Sequence, residues 1–423
     1  MCCLLGVSGL FLCSLGPAGA QEAGWQTELA LPGPAESFLA FQPGSVSEER
    51  RPPAPRPSES PEPAAPRVTP GPADRFEPST LLASRSPIVR LAGMPNMYGD
   101  FFGIGGRVKA CISGYGQGDT PISRCVTMDI PPAGGSGRMK IAENNKALPM
   151  DRVYFIYNHY AGALEAAASP TRVFPVDRYI VGAEKTFLDG RWSAEVRMPF
   201  ASGLRFTVAD FDVGNQDVGN LAVSLKRVLF QSDTSVVAAG LVIDTPTGSD
   251  VTGRISSRRF ALSNDALHLL PYVGFLRAPD DVLFYQGFLQ VDIAANGNRV
   301  ELAGADLGRL TDQNLLFLDL SLGRWLLRNP LGEEAPRLKG LAGIVEVHYT
   351  TTLQDTDVVN GAAGQALLQL SNPLNRIDVV NLTAGLHAEI GMTEVRVAGV
   401  FPLRDAHDRL FDSELQVSVN RRF

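Results

Sequence analysis

The chain has 423 residues, a formal net charge of −7 and 44% apolar residues, enough for one large domain or two of medium size. Its basic residues are scattered rather than clustered, which argues against nucleic acid as a partner. A mean hydropathy near zero excludes a bundle of membrane helices, but not a transmembrane β-barrel, in which half of every strand is polar.

Residues 4–20 form the only long apolar run and end in Pro17, Ala18, Gly19 and Ala20, a small-residue site before Gln21. This pattern predicts a signal peptide over 1–20. No Lys or Arg precedes residue 50, so the usual basic start is missing and the true start codon is open. Cleavage leaves Cys111 and Cys125, which on an exported, Gly-rich segment are a candidate disulfide, with two unpaired thiols as the alternative. Residues 21–78 read as a disordered linker: 43–78 alone hold eleven prolines among Ser, Glu and Arg, with no apolar periodicity. Residues 79–150 look ordered but irregular, with few strand signals, and are expected to fill the mouth or interior of a barrel as a plug or periplasmic cap.

From Asp151 the pattern repeats. Strands are predicted at 151–160, 177–188, 190–201, 218–231, 233–246, 266–278, 281–294, 313–328, 338–352, 378–390, 392–403 and 409–423, each about the ten residues that cross a membrane with tilt. The count is even, so both ends of the set lie on one side. Asp189-Gly190, Ser232, Pro279-Asp280 and Gly391 mark short connections, whereas 161–176, 202–217, 247–265, 295–312 and 353–377 are long. Such alternation, with 329–337 and 404–408 intermediate, is the register of short periplasmic turns and longer external loops.

Face analysis supports this. Trp192, Ala194, Val196, Met198 and Phe200 oppose Ser193, Glu195 and Arg197, as side chains alternate along a strand. The run 313–328 is apolar on much of both faces. The inward polar set gives candidate lumen-lining residues: Arg178, Glu184, Glu195, Arg197, Asp292, Glu346, His348, His387, Glu389, Glu394, Arg396, Asp412 and Glu414. Both signs are present, which suits a selective channel lining or a network of paired charges sealing a narrow barrel. Tyr154, Phe155, Tyr157, Tyr160, Phe187 and Trp192 fit interfacial aromatic girdles. Asp405, His407 and Asp408 read as a solvated loop rather than a catalytic cluster, and Asp355 and Asp357 lack the wider pattern of a calcium loop. No catalytic, cofactor or metal residues are assigned, and no enzyme activity is expected.

The final residues, Phe411 to Phe423, alternate almost without error and end on an aromatic. This resembles the closing strand of bacterial outer-membrane β-barrels, with Phe423 as the barrel-closing residue; Arg421 stands where such barrels commonly carry an apolar side chain. KIAENNKALPMDRVYFIYNHY (140–160) and VDRYIVGAEKTFLDGRWSAEVRMPF (176–200) are similar to a planctomycete-type family of outer-membrane barrels. The resemblance covers about residues 90–423. It implies an all-β chain: a single-chain antiparallel transmembrane β-barrel of about 12 strands over 151–423, with a small irregular N-terminal region. It further implies outer-membrane localisation, contact with outer-membrane lipid and the barrel-assembly machinery, and passive or gated passage of small-molecule solutes. The alternative is a non-transporting structural barrel whose external loops bind a partner.

Overall fold

The computed structural model describes residues 91–423 apart from 104, 116–120, 136–137, 165–173, 209–210, 216–217, 256, 330–336, 372–374 and 406–407. The expected signal peptide, the Pro-rich stretch and His407 lie outside these described residues.

Among the described residues twenty-two strands follow one another. The first hairpin is β1 (Gly106–Tyr115) and β2 (Pro121–Ile130). Then come β3 (Arg152–Leu164), β4 (Phe174–Phe187), β5 (Trp192–Ser202), β6 (Phe206–Val208), β7 (Phe211–Asn215), β8 (Ala222–Gln231) and β9 (Ser235–Asp244). The middle holds β10 (Val251–Ile255), β11 (Arg258–Leu262), β12 (His268–Arg277), β13 (Leu283–Ala294), β14 (Asn298–Leu302) and β15 (Ala305–Leu310). The last are β16 (Leu315–Arg328), β17 (Leu338–Thr352), β18 (Val358–Ala363), β19 (Ala366–Ser371), β20 (Asp378–Ile390), β21 (Thr393–Pro402) and β22 (Ser413–Arg422).

Twelve of these close into one antiparallel barrel, in the order β3-β4-β5-β8-β9-β12-β13-β16-β17-β20-β21-β22. The seam is the pairing of β22 on β3, from Ser413 opposite Ala161 to Arg422 opposite Arg152. All twelve predicted strands are present within a few residues of their expected limits. Closure satisfies every strand edge, the condition for a β-structure in lipid. One barrel end carries short connections such as Leu188–Asp189–Gly190, where all three residues take positive φ (49°, 57° and 72°), a conformation Gly adopts without penalty. The other end carries the long ones.

Those long connections are not featureless. Four of them hold hairpins, and with β1 and β2 they build two further sheets, β18-β19-β1-β2 and β15-β14-β11-β10-β7-β6. The segment read as irregular therefore contains an ordered hairpin, in which Cys111 faces Cys125 and the sulfurs lie 2.04 Å apart. Val108, Ala110, Met128 and Ile130 from this hairpin share an apolar core with Leu368, Leu370, Val251, Phe260, Val300 and Leu302 from the other extension strands. Apart from β1 and β2, which have ten residues each, these strands run to only three to six residues, which is why a membrane-strand pattern passes over them.

Burial on the barrel is inverted relative to a water-soluble domain. The outer face is apolar and exposed, as at Val181 (53%), Leu289 (49%) and Leu322 (58%), while the inner face buries Arg152, Arg178, Lys226, Glu346 and Asp319. An apolar band outside and charge inside is the transmembrane-barrel arrangement. Two expected girdle residues depart from it. Tyr154 and Tyr160 are buried inward, because they sit an odd number of residues from Phe155 and Tyr157. Phe187 and Trp192 do remain outside, stacked with ring centres 6.2 Å apart.

Candidate functional site

Among the described residues, charged side chains of many strands converge in the barrel interior, and chain from outside the wall meets them there. Residues 91–103 rise from the turn end toward the β1–β2 hairpin at the loop end, and 138–150 lead back to β3. Along this path Met94, Asn96, Met97, Asp100, Lys140, Asn144 and Lys146 are all buried. Hydrogen bonds run from the path to wall strands around the whole circumference, which locates it inside the barrel.

On β17, Glu346 accepts the backbone N–H of Tyr98 with both carboxylate oxygens (3.0 and 2.9 Å) and that of Gly99 (3.2 Å). On β22, Gln416 donates to the Gly99 carbonyl (2.9 Å). Gly99 has φ +79°, and a Cβ there would lie 2.7 Å from the Glu143 Cα, so only glycine fits between the two passes. On β20, Asn381 donates to Asp100 (2.8 Å). Lys140 then ties Asp100 to Asp319 of β16, its Nζ 2.6 Å from the Asp319 carboxylate, and His348 Nδ1 lies 2.8 Å from the same group.

The opposite wall is held the same way. Arg178 of β4 donates to the Phe101 carbonyl (2.7 Å) and pairs with Glu143. Arg396 of β21 donates to Asn144 Oδ1 (2.7 Å) and the Asn96 carbonyl (2.8 Å). Arg152 of β3 joins the Asn144 carbonyl to Glu184 (3.0 Å) and Glu195 (3.2 Å), and Lys226 of β8 joins Asn145 (2.7 Å) to Glu184 (3.0 Å). Gln290 of β13 accepts the Ile141 N–H (2.8 Å), and Arg138 pairs with Asp292 (3.1 Å). Buried ions are tolerated here because they are paired, as Arg152, Arg178 and Lys226 are, or hydrogen-bonded to neutral oxygens, as Arg396 is. Near the loop end, burial would raise the Asp312 carboxyl, but hydrogen bonding from His268 and the Arg138 charge hold it below the usual carboxylate range.

Of the residues singled out from sequence, Arg178, Glu184, Glu195, Arg197, Asp292, Glu346, His348, His387, Glu394, Arg396 and Glu414 are buried on the inner face, and Glu389 is partly buried at the turn end. Asp412 does not line the interior. It is exposed and pairs with Arg409 at 3.0 Å, because β22 begins only at Ser413 and the alternation breaks phase before it. Arg152, Lys226 and Asp319 escaped the sequence reading, although each holds an inward position in its strand's period. Asp319 was hidden by the apolar run around it, where Phe317 packs edge-on against Phe101 with ring centres 5.1 Å apart. Asp405 and Asp408 flank the undescribed His407, and Asp408 pairs with Arg404 at 2.8 Å. Asp357 accepts the Thr311 N–H and Asp355 pairs with Arg376, so both have protein partners.

A comparison with protein-family models finds no match, and neither does one with curated proteins. Among solved structures, the NanC porin aligns at 8% identity and a TM-score of 0.37, covering 64% of this chain and 100% of its own. An outer-membrane channel from Pseudomonas putida F1 aligns at 10% identity and a TM-score of 0.41, over 66% of this chain and 97% of its own. The β domain of the Bordetella autotransporter BrkA aligns at 12% identity and a TM-score of 0.36, over 65% and 100%. These neighbours are outer-membrane β-barrels, porins and channels among them.

Proposed function

We propose that this chain is a bacterial outer-membrane channel for small solutes, closed at rest by residues 91–103 and 138–150 acting as a plug and opened when that segment shifts. The observation that carries this reading is the polar character of the contact between segment and wall in mid-barrel. Glu346, Arg178, Arg396, Arg152 and Lys226 all meet the segment through hydrogen bonds and ion pairs. A charged wall exchanges such partners for water and remains a solvated conduit, whereas an apolar wall would resist wetting. In this reading the turn end is periplasmic, the chain is exported by its signal peptide, and the barrel-assembly machinery inserts it with Phe423 at the end of the closing strand. The similarity of 140–160 and 176–200 to planctomycete-type barrels belongs to the same proposal.

Solute flux into liposomes carrying the full-length protein tests it. Glu346→Gln removes the charge that clamps Tyr98 and Gly99, and flux should rise severalfold over the resting wild type. Unchanged flux in Glu346→Gln, with the barrel folded, would count against a movable plug. The two extension sheets favour one second reading, a non-transporting barrel that displays a binding platform at the loop end. That reading predicts no flux from either chain.

A further inference from the structure

A second polar cluster lies apart from the Glu346–Lys140 centre, at the turn end of the barrel. The two-residue turn at Gly391 and Met392 joins β20 to β21, and its register sets Glu389 directly opposite Glu394. Like charges facing each other across an antiparallel pair repel, so this pair calls for a cation between them. His387 precedes Glu389 by two residues and therefore shares its face. It is fully buried, and neither ring nitrogen makes a hydrogen bond among the described residues, Nε2 lying 3.9 Å from the Glu389 carboxylate; its ring contact is edge-on to Trp325, with ring centres 5.7 Å apart. A buried imidazole without a hydrogen bond is unfavourable unless something else engages it. One ligand atom from each of His387, Glu389 and Glu394 lies within 4.8 Å of the others.

We propose that His387, Glu389 and Glu394 form a site for a divalent transition metal, zinc being the ion their donors fit best. One imidazole nitrogen and two carboxylate oxygens are a mixed set that suits zinc. Calcium takes about six to eight oxygens and no imidazole, and magnesium keeps oxygen ligands and water. A cavity of about 270 Å³ reaches both carboxylates from the turn end, giving an entry path and room for a water in the remaining coordination position. Arg422 also borders this cavity and pairs with Glu389 (3.1 Å) and Glu394. Its side chain is 29% exposed, so it can swing outward and give up the carboxylates to the metal. The Asp100–Asp319–His348 cluster differs on this point. There Lys140 is 1% exposed and cannot leave, so the cationic position is permanently taken. The metal site rests on the barrel wall alone and does not depend on solute passage.

Full-length protein refolded in detergent and stripped with EDTA should take up one zinc per chain in a calorimetric titration with zinc chloride. Glu389→Gln and His387→Ala should each weaken that uptake by more than about tenfold. Arg422→Gln should tighten it, because the competing guanidinium is gone; a purely structural arginine would leave it unchanged. Absence of stoichiometric zinc uptake by the wild type overturns the site. So does wild-type affinity in a folded Glu389→Gln chain, even where His387→Ala fails to fold. Unchanged or weaker zinc binding in Arg422→Gln overturns the competition by the arginine.

Discussion

Lys140 shows how single residues hold the interior. Its ammonium lies between Asp100 on the rising segment and Asp319 on the wall, and all three are buried. Lys140→Met would leave Asp100 and Asp319 facing each other with His348 as their remaining basic neighbour, a loss on the order of 3–5 kcal/mol. Unfolding in urea should register this, and adding Asp319→Asn to the same chain should restore part of it. An equal loss with and without Asp319→Asn would mean that the pair is not coupled. At this scale the sequence was informative about the wall and nearly silent about its partners. Period-2 placement put Glu346 and Arg396 inward, because a strand's faces follow from spacing alone. Lys140, Asp100 and Gly99 sit in irregular backbone, where no spacing rule says which way a side chain points. Asp412 failed for a related reason, since alternation applies only where the strand is continuous.

Among elements, the barrel strands were the most legible and the extension strands the least. Strands such as β5 and β20 carry a clean apolar face, and their partners are set by closure. Hairpins such as β10–β11 and β14–β15 have strands of five or six residues and owe their order to a shared core with sequence-distant β1 and β19. Such long-range packing leaves no local signature. The outward face gives a prediction that separates membrane from water. Leu289, mid-strand on β13, is half exposed and flanked on the same face by Val273 and Leu318. In a bilayer Leu289→Arg should destabilise folding by about 2–4 kcal/mol. The same change on a water-exposed surface would shift stability by about 0.5 kcal/mol or less. Folding equilibria in lipid vesicles distinguish the two, and a negligible effect would contradict a lipid-facing strand.

For the whole molecule, topology and interior describe one object. A closed twelve-stranded barrel with charge inside and apolar residues outside surrounds a segment that enters and leaves at the turn end. Glu346, Arg178, Arg152, Lys226 and Arg396 of the wall each hydrogen-bond to that segment, so the interior is filled through polar contacts rather than through apolar packing alone. Withdrawing the segment would expose a polar surface that water can fill. The measurement that bears most directly on this is planar-bilayer conductance of the full-length chain beside one lacking residues 21–150, both checked for a folded barrel. The account predicts a quiet full-length protein and stable open steps after truncation. Silence from both chains, or equal conductance from both, would contradict it.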